Sequence, residues 1–470
     1  MSVLRSSIDL VRRAEPIRIT GSVAASRGLM LIAEDLPAPV GALVRVRSKD
    51  DIRLAEVVGF EGERTLLMML QSSAGVRPGD HVETRESRPT VPVSHALLGH
   101  VIDGLGEPID GKHLPRGLTP QPILVEPIAA MKRAPIEQPI ATGVRAIDGL
   151  AAVGRGQRMG IFAGPGVGKS TLMGMIARGA EAAGGADVNV IALIGERGRE
   201  VKDFIRHSLG DKGLKKSVVV VSTSDQSPVM RLRAANVACA VAEYFRDEGA
   251  DVMLMLDSVT RFAHAQRQIG LAVGEPPATR GYTPSVFAGL ANLLERAGAV
   301  ENPDGSTGSI TGFYTILVEG DDMTEPVADA ARGILDGHLI LSRQLAQRGH
   351  FPAIDVLDSV SRIAGDITPG EQQRARQTIV SLLAAHKDVE ELLQIGAYSA
   401  GQNPRIDTAV NHKDRFDAFL AQTTDEVTPI EATRHAMTTI VAAAEAELGK
   451  RRAVNPGSQG PAGANHIRRA

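Results

Sequence analysis

The sequence predicts an α/β protein: a parallel sheet covered by helices, with a small β-barrel before it and a helical domain after it. Three stretches of its 470 residues carry that reading. Between residues 17 and 86, short alternating segments are separated by turn residues, as in a small closed barrel. Apolar runs at 188–194, 217–221 and 252–256 alternate with helical segments, the order of a parallel sheet with both faces covered. Beyond residue 362 the periodicity is helical. At about 150 residues per domain, a chain of this length accommodates about three.

The elements follow in order. Leu4, Ile8 and Val11 share one face of a possible helix, with Arg5, Asp9 and Arg12 elsewhere, and Pro16 ends the pattern. Residues 1–16 are thus either a frayed terminus or a docking helix for a partner. The barrel is expected over 17–90. In it Ile17-Arg18-Ile19-Thr20 and Ala42-Leu43-Val44-Arg45-Val46-Arg47 alternate, and 57–70 hold two more strands around Gly59 and Gly62. Residues 89–142 contain Pro115, Pro120, Pro122, Pro127, Pro135 and Pro139, which predicts an extended connector rather than a packed unit. The central domain is set at 91–362. A helical domain follows at 363–453, built from 371–385, 389–393, 414–421 and 429–447. Residues 454–470, with Asn455-Pro456-Gly457-Ser458, read as a disordered tail.

Composition removes several function classes. With 52 Lys+Arg against 55 Asp+Glu, no global basic field advertises nucleic acid or anionic lipid. The one cysteine, Cys239, lies in an apolar run and reads as a packed core thiol. It cannot form a disulfide framework, which fits a reducing cytosol. No apolar run approaches the ~18–20 residues of a membrane span, and the N-terminus lacks a signal-type apolar stretch. Of the 14 aromatics, only Phe60 falls in the first 150 residues. Barrels that bind single strands stack bases on aromatics, so a nucleic-acid motor is disfavoured.

The strongest local signal is Ala163-Gly164-Pro165-Gly166-Val167-Gly168-Lys169-Ser170-Thr171, between an apolar strand and a helical segment. Its glycines let backbone N–H groups converge on phosphate oxygens at a helix N-terminus. Lys169 would neutralise the β- and γ-phosphates of ATP, and the Ser170 hydroxyl would ligate Mg²⁺. Ala163 stands where the usual pattern has glycine, and it is small enough for the position. The strand 252–256 ends in Asp257, placed to hold Mg²⁺ directly or through water; the alternative is a capping role on the next helix. The strand 190–194 runs into Gly195-Glu196-Arg197-Gly198-Arg199-Glu200. A glutamate at the C-terminal end of a parallel strand lies where such sheets bind ligands, so Glu196 is the preferred base for polarising water. Glu200, on the helical segment 200–209, is its rival.

Several blocks together resemble the RecA-like α/β ring ATPases, the group that includes the rotary ATP synthase subunits. Pro352-Ala353-Ile354-Asp355 followed by Ser359-Val360-Ser361-Arg362 carries the broad likeness. Leu98-Gly99-His100-Val101-Ile102-Asp103-Gly104, Asp257-Ser258-Val259-Thr260-Arg261-Phe262 and Gly281-Tyr282-Thr283-Pro284-Ser285 look most like the protein-export ATPases of flagellar and related type III secretion systems. The likeness runs from about residue 17 to 420. It implies a RecA-like core, with Arg197 and Arg261 lining the phosphate site and Phe351 lying against the adenine. It also implies that Arg362 reaches into a neighbouring subunit's site. Phe351 replaces the tyrosine common at its position; its alternative is a core aromatic beside Pro352. Asp321 and Asp322 belong either to a polar network behind the nucleotide or to a solvated loop.

By the same resemblance the chain would be an ATPase that works as a homo-hexamer in the cytoplasm, peripherally associated with an inner-membrane export apparatus. Implied partners are a peripheral regulator on the N-terminal helix, a central coiled-coil stalk, the membrane export gate and chaperone–substrate complexes, with no nucleic acid. Val318-Glu319-Gly320-Asp321-Asp322-Met323 and Gly333-Ile334-Leu335-Asp336-Gly337-His338 are most similar to flagellar members. The alternatives are a virulence type III secretion ATPase and a catalytic, β-like subunit of a rotary ATP synthase.

Overall fold

The computed structural model describes residues 18–49, 51–114, 116–182, 184–301, 305–318, 320 and 322–454. The docking segment 1–16, the tail beyond 454 and Asp321 lie outside them. Two compact units emerge. One takes the described residues up to Pro135, with Gly156–Gly160 and Asp187–Leu335; the other takes Ile136–Arg155, Ile161–Ala186 and the described residues from Asp336 onward.

The first unit opens with six strands: β1 (Thr20–Arg27), β2 (Met30–Glu34), β3 (Leu43–Arg47), β4 (Ile52–Glu61), β5 (Arg64–Met69) and β6 (His81–Glu86). They close in the order β1-β2-β5-β4-β3-β6, with Thr20 of β1 paired to Glu83 of β6. Closure removes the free edges that would otherwise invite aggregation. Alternation supplies the interior, where Leu31, Ala33, Val44, Val46, Val57, Leu67 and Val82 pack together. The outward residues Met30, Ile32, Leu66 and Met68 are also buried, against Val229, Met230 and Ile269 of two later helices. That second contact explains why β2 reads as a continuous apolar run rather than an alternation. Phe60, the barrel's aromatic, is 53% exposed.

The expected connector is more ordered than its prolines suggest. β7 (Thr90–Val93) pairs antiparallel with β9 (Thr119–Pro122), and β8 (Val101–Asp103) joins the main sheet. Only three residues long, β8 buries Val101 and Ile102, too short a run to stand out among turn residues. β10 (Arg158–Ala163) begins in the first unit and ends in the second. β11 (Val188–Glu196), β12 (Ser217–Thr223), β13 (Asp251–Asp257), β14 (Gly298–Glu301) and β15 (Thr307–Leu317) complete the first unit's strands. β8, β12, β11, β13 and β15 run side by side in that order, all parallel, and β14 pairs antiparallel with β15. β11 is buried from Val188 to Gly195, as a strand covered on both faces must be.

The helix Pro228–Asp247 is started by Ser227, whose Oγ accepts from the Met230 N–H at 3.3 Å, with Pro228 in its first turn. Cys239 lies buried within it, and burial pushes its thiol up to about 11. Arg296 reaches the same helix with a two-pronged bond to Glu243, both contacts 2.7 Å. It also donates to the Ile123 carbonyl. A buried pair satisfied on this many sides escapes the cost of an uncompensated charge.

The second unit holds the end of β10, the helix Lys169–Ala182, and the antiparallel pair β16 (Gly337–Leu341) and β17 (Ile354–Ser361). Helices Gly370–Lys387, Pro404–Leu420 and Ile430–Val454 pack against one another in it. Asp148 is buried, accepting from the Thr142 Oγ1 at 2.6 Å and the Gly143 N–H at 2.9 Å. Burial outweighs these bonds and pushes its carboxyl up to about 6. Among the described residues, no helix is long and apolar enough to cross a membrane.

Glu56 of β4 offers a test of how the barrel sits on the helix Pro228–Asp247. Its carboxylate lies 3.6 Å from Arg233, yet burial outweighs the guanidinium and pushes it up to about 7 from an ordinary 4.5. A raised carboxyl binds a proton on folding, so its contribution is fully present below the unfolded value and lost as pH rises through the folded one. The unfolding midpoint of the wild type should therefore fall relative to Glu56→Gln between about pH 5 and pH 8. A constant difference across that range would contradict the burial.

Candidate functional site

In the second unit, β10 ends at the buried Ala163 and the chain turns into the helix Lys169–Ala182. Gly166 and Gly168 adopt φ of 78° and 94°, conformations that side chains rarely take. Val167 is buried and anchors the loop, while Pro165, Gly166, Ser170 and Thr171 are exposed. Lys169 is the first helical residue. The positive end of the helix dipole favours an anion at this point.

Beside the loop opens a cleft of about 440 Å³, lined by Gly168, Thr171, Phe351, Pro352, Gln422 and Glu426 among others. Phe351 is 45% exposed, so it presents a face to the cleft instead of filling the core. A Cβ on Gly168 would stand 3.7 Å from its ring, so the loop passes directly over that aromatic. The Phe351 carbonyl accepts from the Gln422 N–H at 2.8 Å, tying the far wall of the cleft to it. Arg145 holds the same wall, donating to the Phe419 carbonyl at 2.7 Å and pairing with Glu426. Arg362 follows β17, is exposed, and lines none of this cleft; its backbone N–H donates to the Asp336 carbonyl at 3.0 Å.

In the first unit, the C-terminal ends of β11 and β13 gather Glu196, Asp257 and Arg261. Leu193 pairs with Asp257 across the two strands, so Glu196 stands three residues further along. Gly195, at φ 73°, produces a register shift against β12 and re-aims the chain at Glu196. A Cβ on Gly195 would lie 2.9 Å from that of Arg261, closer than side chains tolerate. Asp257 is 2% exposed and accepts from the Thr315 Oγ1 at 2.7 Å.

Ser258, not Asp257, caps the helix Val259–Ala272, accepting from the Arg261 N–H at 3.3 Å. The capping alternative for Asp257 is thereby removed. The Arg261 Nε is buried and has no hydrogen-bond partner among the described residues. Arg197 is 82% exposed and faces Glu200 at 3.6 Å. Glu200 belongs to the helix Gly198–Asp203, and the expected continuation to residue 209 is a π-helical turn, Phe204–Leu209.

Asp322 lies in an exposed turn. The Thr324 hydroxyl and N–H and the Arg280 guanidinium hold its carboxyl down at about 2, which fits the solvated-loop alternative. Reasoning from sequence missed Thr315, Gln422 and Glu426. Segment 421–426 carries no motif and follows the phosphate loop by some 250 residues.

Taken separately, Ser170 of the second unit offers a hydroxyl and Asp257 of the first a carboxylate, each a hard oxygen of the kind that Mg²⁺ takes. Among the described residues, no cluster of three His, Cys, Asp or Glu forms a dedicated cage.

Comparison with known proteins gives three family matches. The nucleotide-binding domain of the ATP synthase alpha/beta family matches residues 143–361, and its beta-barrel domain matches 23–85. The T3SS EscN ATPase C-terminal domain matches 368–439. The flagellum-specific ATP synthase of Bacillus subtilis is 50% identical over 93% of this chain and 98% of its own length. The type 3 secretion system ATPase of Xanthomonas euvesicatoria is 49% identical over 89% and 93%. Among solved structures, the assembled ATPase EscN of enteropathogenic E. coli superposes with a TM-score of 0.83 at 41% identity, covering 90% of this chain and all of EscN. EscN in complex with its central stalk EscO gives 0.81 over the same coverage.

Gly195 is the position at which local geometry is most exacting. Gly195→Ala should lower the thermal unfolding midpoint by about 2–6 °C, from the left-handed backbone and the overlap with Arg261 together. An unchanged midpoint would mean that the strand end relaxes freely.

Proposed function

The chain belongs to the ATP synthase alpha/beta family, and from that premise we propose that it is the ATPase of a flagellar, type III protein-export apparatus. The observation that carries this reading is the match of residues 368–439 to the C-terminal domain of a secretion ATPase, in a chain that keeps Lys169, Glu196, Asp257 and Arg362. It separates export ATPases from the rotary catalytic subunits that share the barrel and the core. A virulence secretion ATPase is the second reading, favoured by the 49% identity to the Xanthomonas protein.

In the proposed reaction, ATP and water give ADP, phosphate and a proton. Water's oxygen forms the new bond to the γ-phosphorus while the bond to the bridging oxygen breaks and its electron pair leaves with ADP. Glu196 orients the water and takes its proton. Lys169 and the loop N–H groups from Gly164 to Thr171 hold the phosphates, and Arg261 and Arg197 add positive charge. Bound Mg²⁺, held by Ser170 and Asp257, would neutralise charge developing on the phosphate oxygens. Phe351 offers its face to the adenine, and the open cleft beside Gly168 supports that assignment.

Arg362 acts in trans, in keeping with its exposure and its absence from its own chain's cleft. The working form is then a homo-hexamer in the cytoplasm, at the inner-membrane export apparatus. The EscN–EscO complex supports a central stalk as a partner. A regulator at residues 1–16, the export gate and chaperone–substrate complexes complete the proposed set.

Mixing two inactive variants tests the trans site. Arg362→Ala and Glu196→Ala should each lower kcat by about 10³-fold or more. Co-assembled, they restore an intact pairing at roughly a quarter of the interfaces of a cyclic ring, and activity should return in proportion. Mixed rings, verified by native mass spectrometry, that remain inactive would remove Arg362 from the neighbouring site.

A further inference from the structure

The helix Val259–Ala272 carries Arg261 in its first turn and His264 one turn later, so both lie on one face. His264 Nε2 meets the Tyr282 Oη at 3.1 Å, and the Tyr282 hydroxyl donates to Glu325 Oε1 at 3.1 Å. With the tyrosine proton directed to the carboxylate, His264 must donate through Nε2. Tyr282 is 3% exposed, stacks with His264, and carries the Arg267 guanidinium 4.9 Å above its ring. Glu325 immediately precedes the helix Pro326–Ile334. The three residues thus join two helices through the loop between Glu275 and Thr283.

That loop is fastened at its base as well. Glu275 accepts from the Ser285 N–H at 2.8 Å, and the Ala278 N–H donates to the Tyr282 carbonyl at 2.7 Å. A second tie to the neighbouring turn, Arg280 to Asp322 at 3.1 Å, is exposed on both sides. Exposed pairs contribute little, so the buried tyrosine bridge holds the two segments together.

We infer that Tyr282, with His264 and Glu325, is a positioning residue that fixes the helix bearing Arg261 at the strand ends carrying Glu196 and Asp257. The inference rests on the ATPase reading above. Tyr282 is not among the residues assigned to the phosphates, the water or Mg²⁺. It acts through the helix, because Arg261 is packed against Gly195 and any shift of the helix displaces the chain at Glu196. Small displacements of this kind cost rate far more than affinity, since alignment matters most in the transition state.

The test is a double-mutant cycle on the full-length protein. Tyr282→Phe removes only the hydroxyl and should lower kcat about tenfold with KM for ATP unchanged and the unfolding midpoint within a few degrees of wild type. Glu325→Ala should do the same. Glu325→Gln, which still accepts through its amide oxygen, should restore most of the rate. The double variant Tyr282→Phe/Glu325→Ala should be no slower than either single one, because both break one connection. Wild-type kcat in Tyr282→Phe, or losses that multiply in the double variant, would overturn the inference. A wild-type protein that hydrolyses no ATP under any assembly condition would instead overturn the ATPase reading.

Discussion

The register between β11 and β13 is the constraint on which the first unit's chemistry depends. Leu193 faces Asp257, so the last residues of two buried parallel strands emerge together at one sheet edge. Asn189 apart, the residues between the ends of those strands are apolar, and the charged residues collect where the apolar run stops. Glu196 and Asp257 are placed by that stop. Gly195 then turns the chain between them, at a position where a side chain would collide with Arg261. The hydrophobic burial that stabilises the sheet is also what aims its carboxylates.

A comparable logic governs the second unit. The phosphate loop begins where β10 ends, and its left-handed glycines let the backbone rather than side chains face a ligand. Phe351 and the segment 421–426 build the adjoining cleft from distant sequence, held by the Gln422 bond to the Phe351 carbonyl and by Arg145. The near-neutral composition is in keeping with this arrangement. With 52 Lys+Arg balanced by 55 Asp+Glu, the chain carries no global positive field of the kind that draws in a polyanion.

Much of this was legible in the sequence, because the informative residues sit at element boundaries. The barrel, the parallel sheet and the helical domain followed from a switch in hydrophobic period; Lys169 stands where a loop becomes a helix, and Glu196 where a strand ends. Other features left no local mark. β8 is three residues within a proline-rich stretch, so burial and not pattern makes it a strand. The Thr315 bond to Asp257 joins the ends of two strands 58 residues apart. Segment 421–426 has no motif because a cleft wall needs shape more than specific chemistry. Asp257 carried a capping alternative in the sequence, and the side-chain geometry gives that role to Ser258 instead.

In the proposed mechanism a neighbouring copy of the chain completes the active site. The most direct measurement is specific ATPase activity against protein concentration, with assembly followed in the same samples by light scattering. Activity per chain should rise steeply with concentration and track the hexamer fraction, approaching zero when the chain is monomeric. Constant specific activity from a dilute monomer to an assembled ring would contradict it.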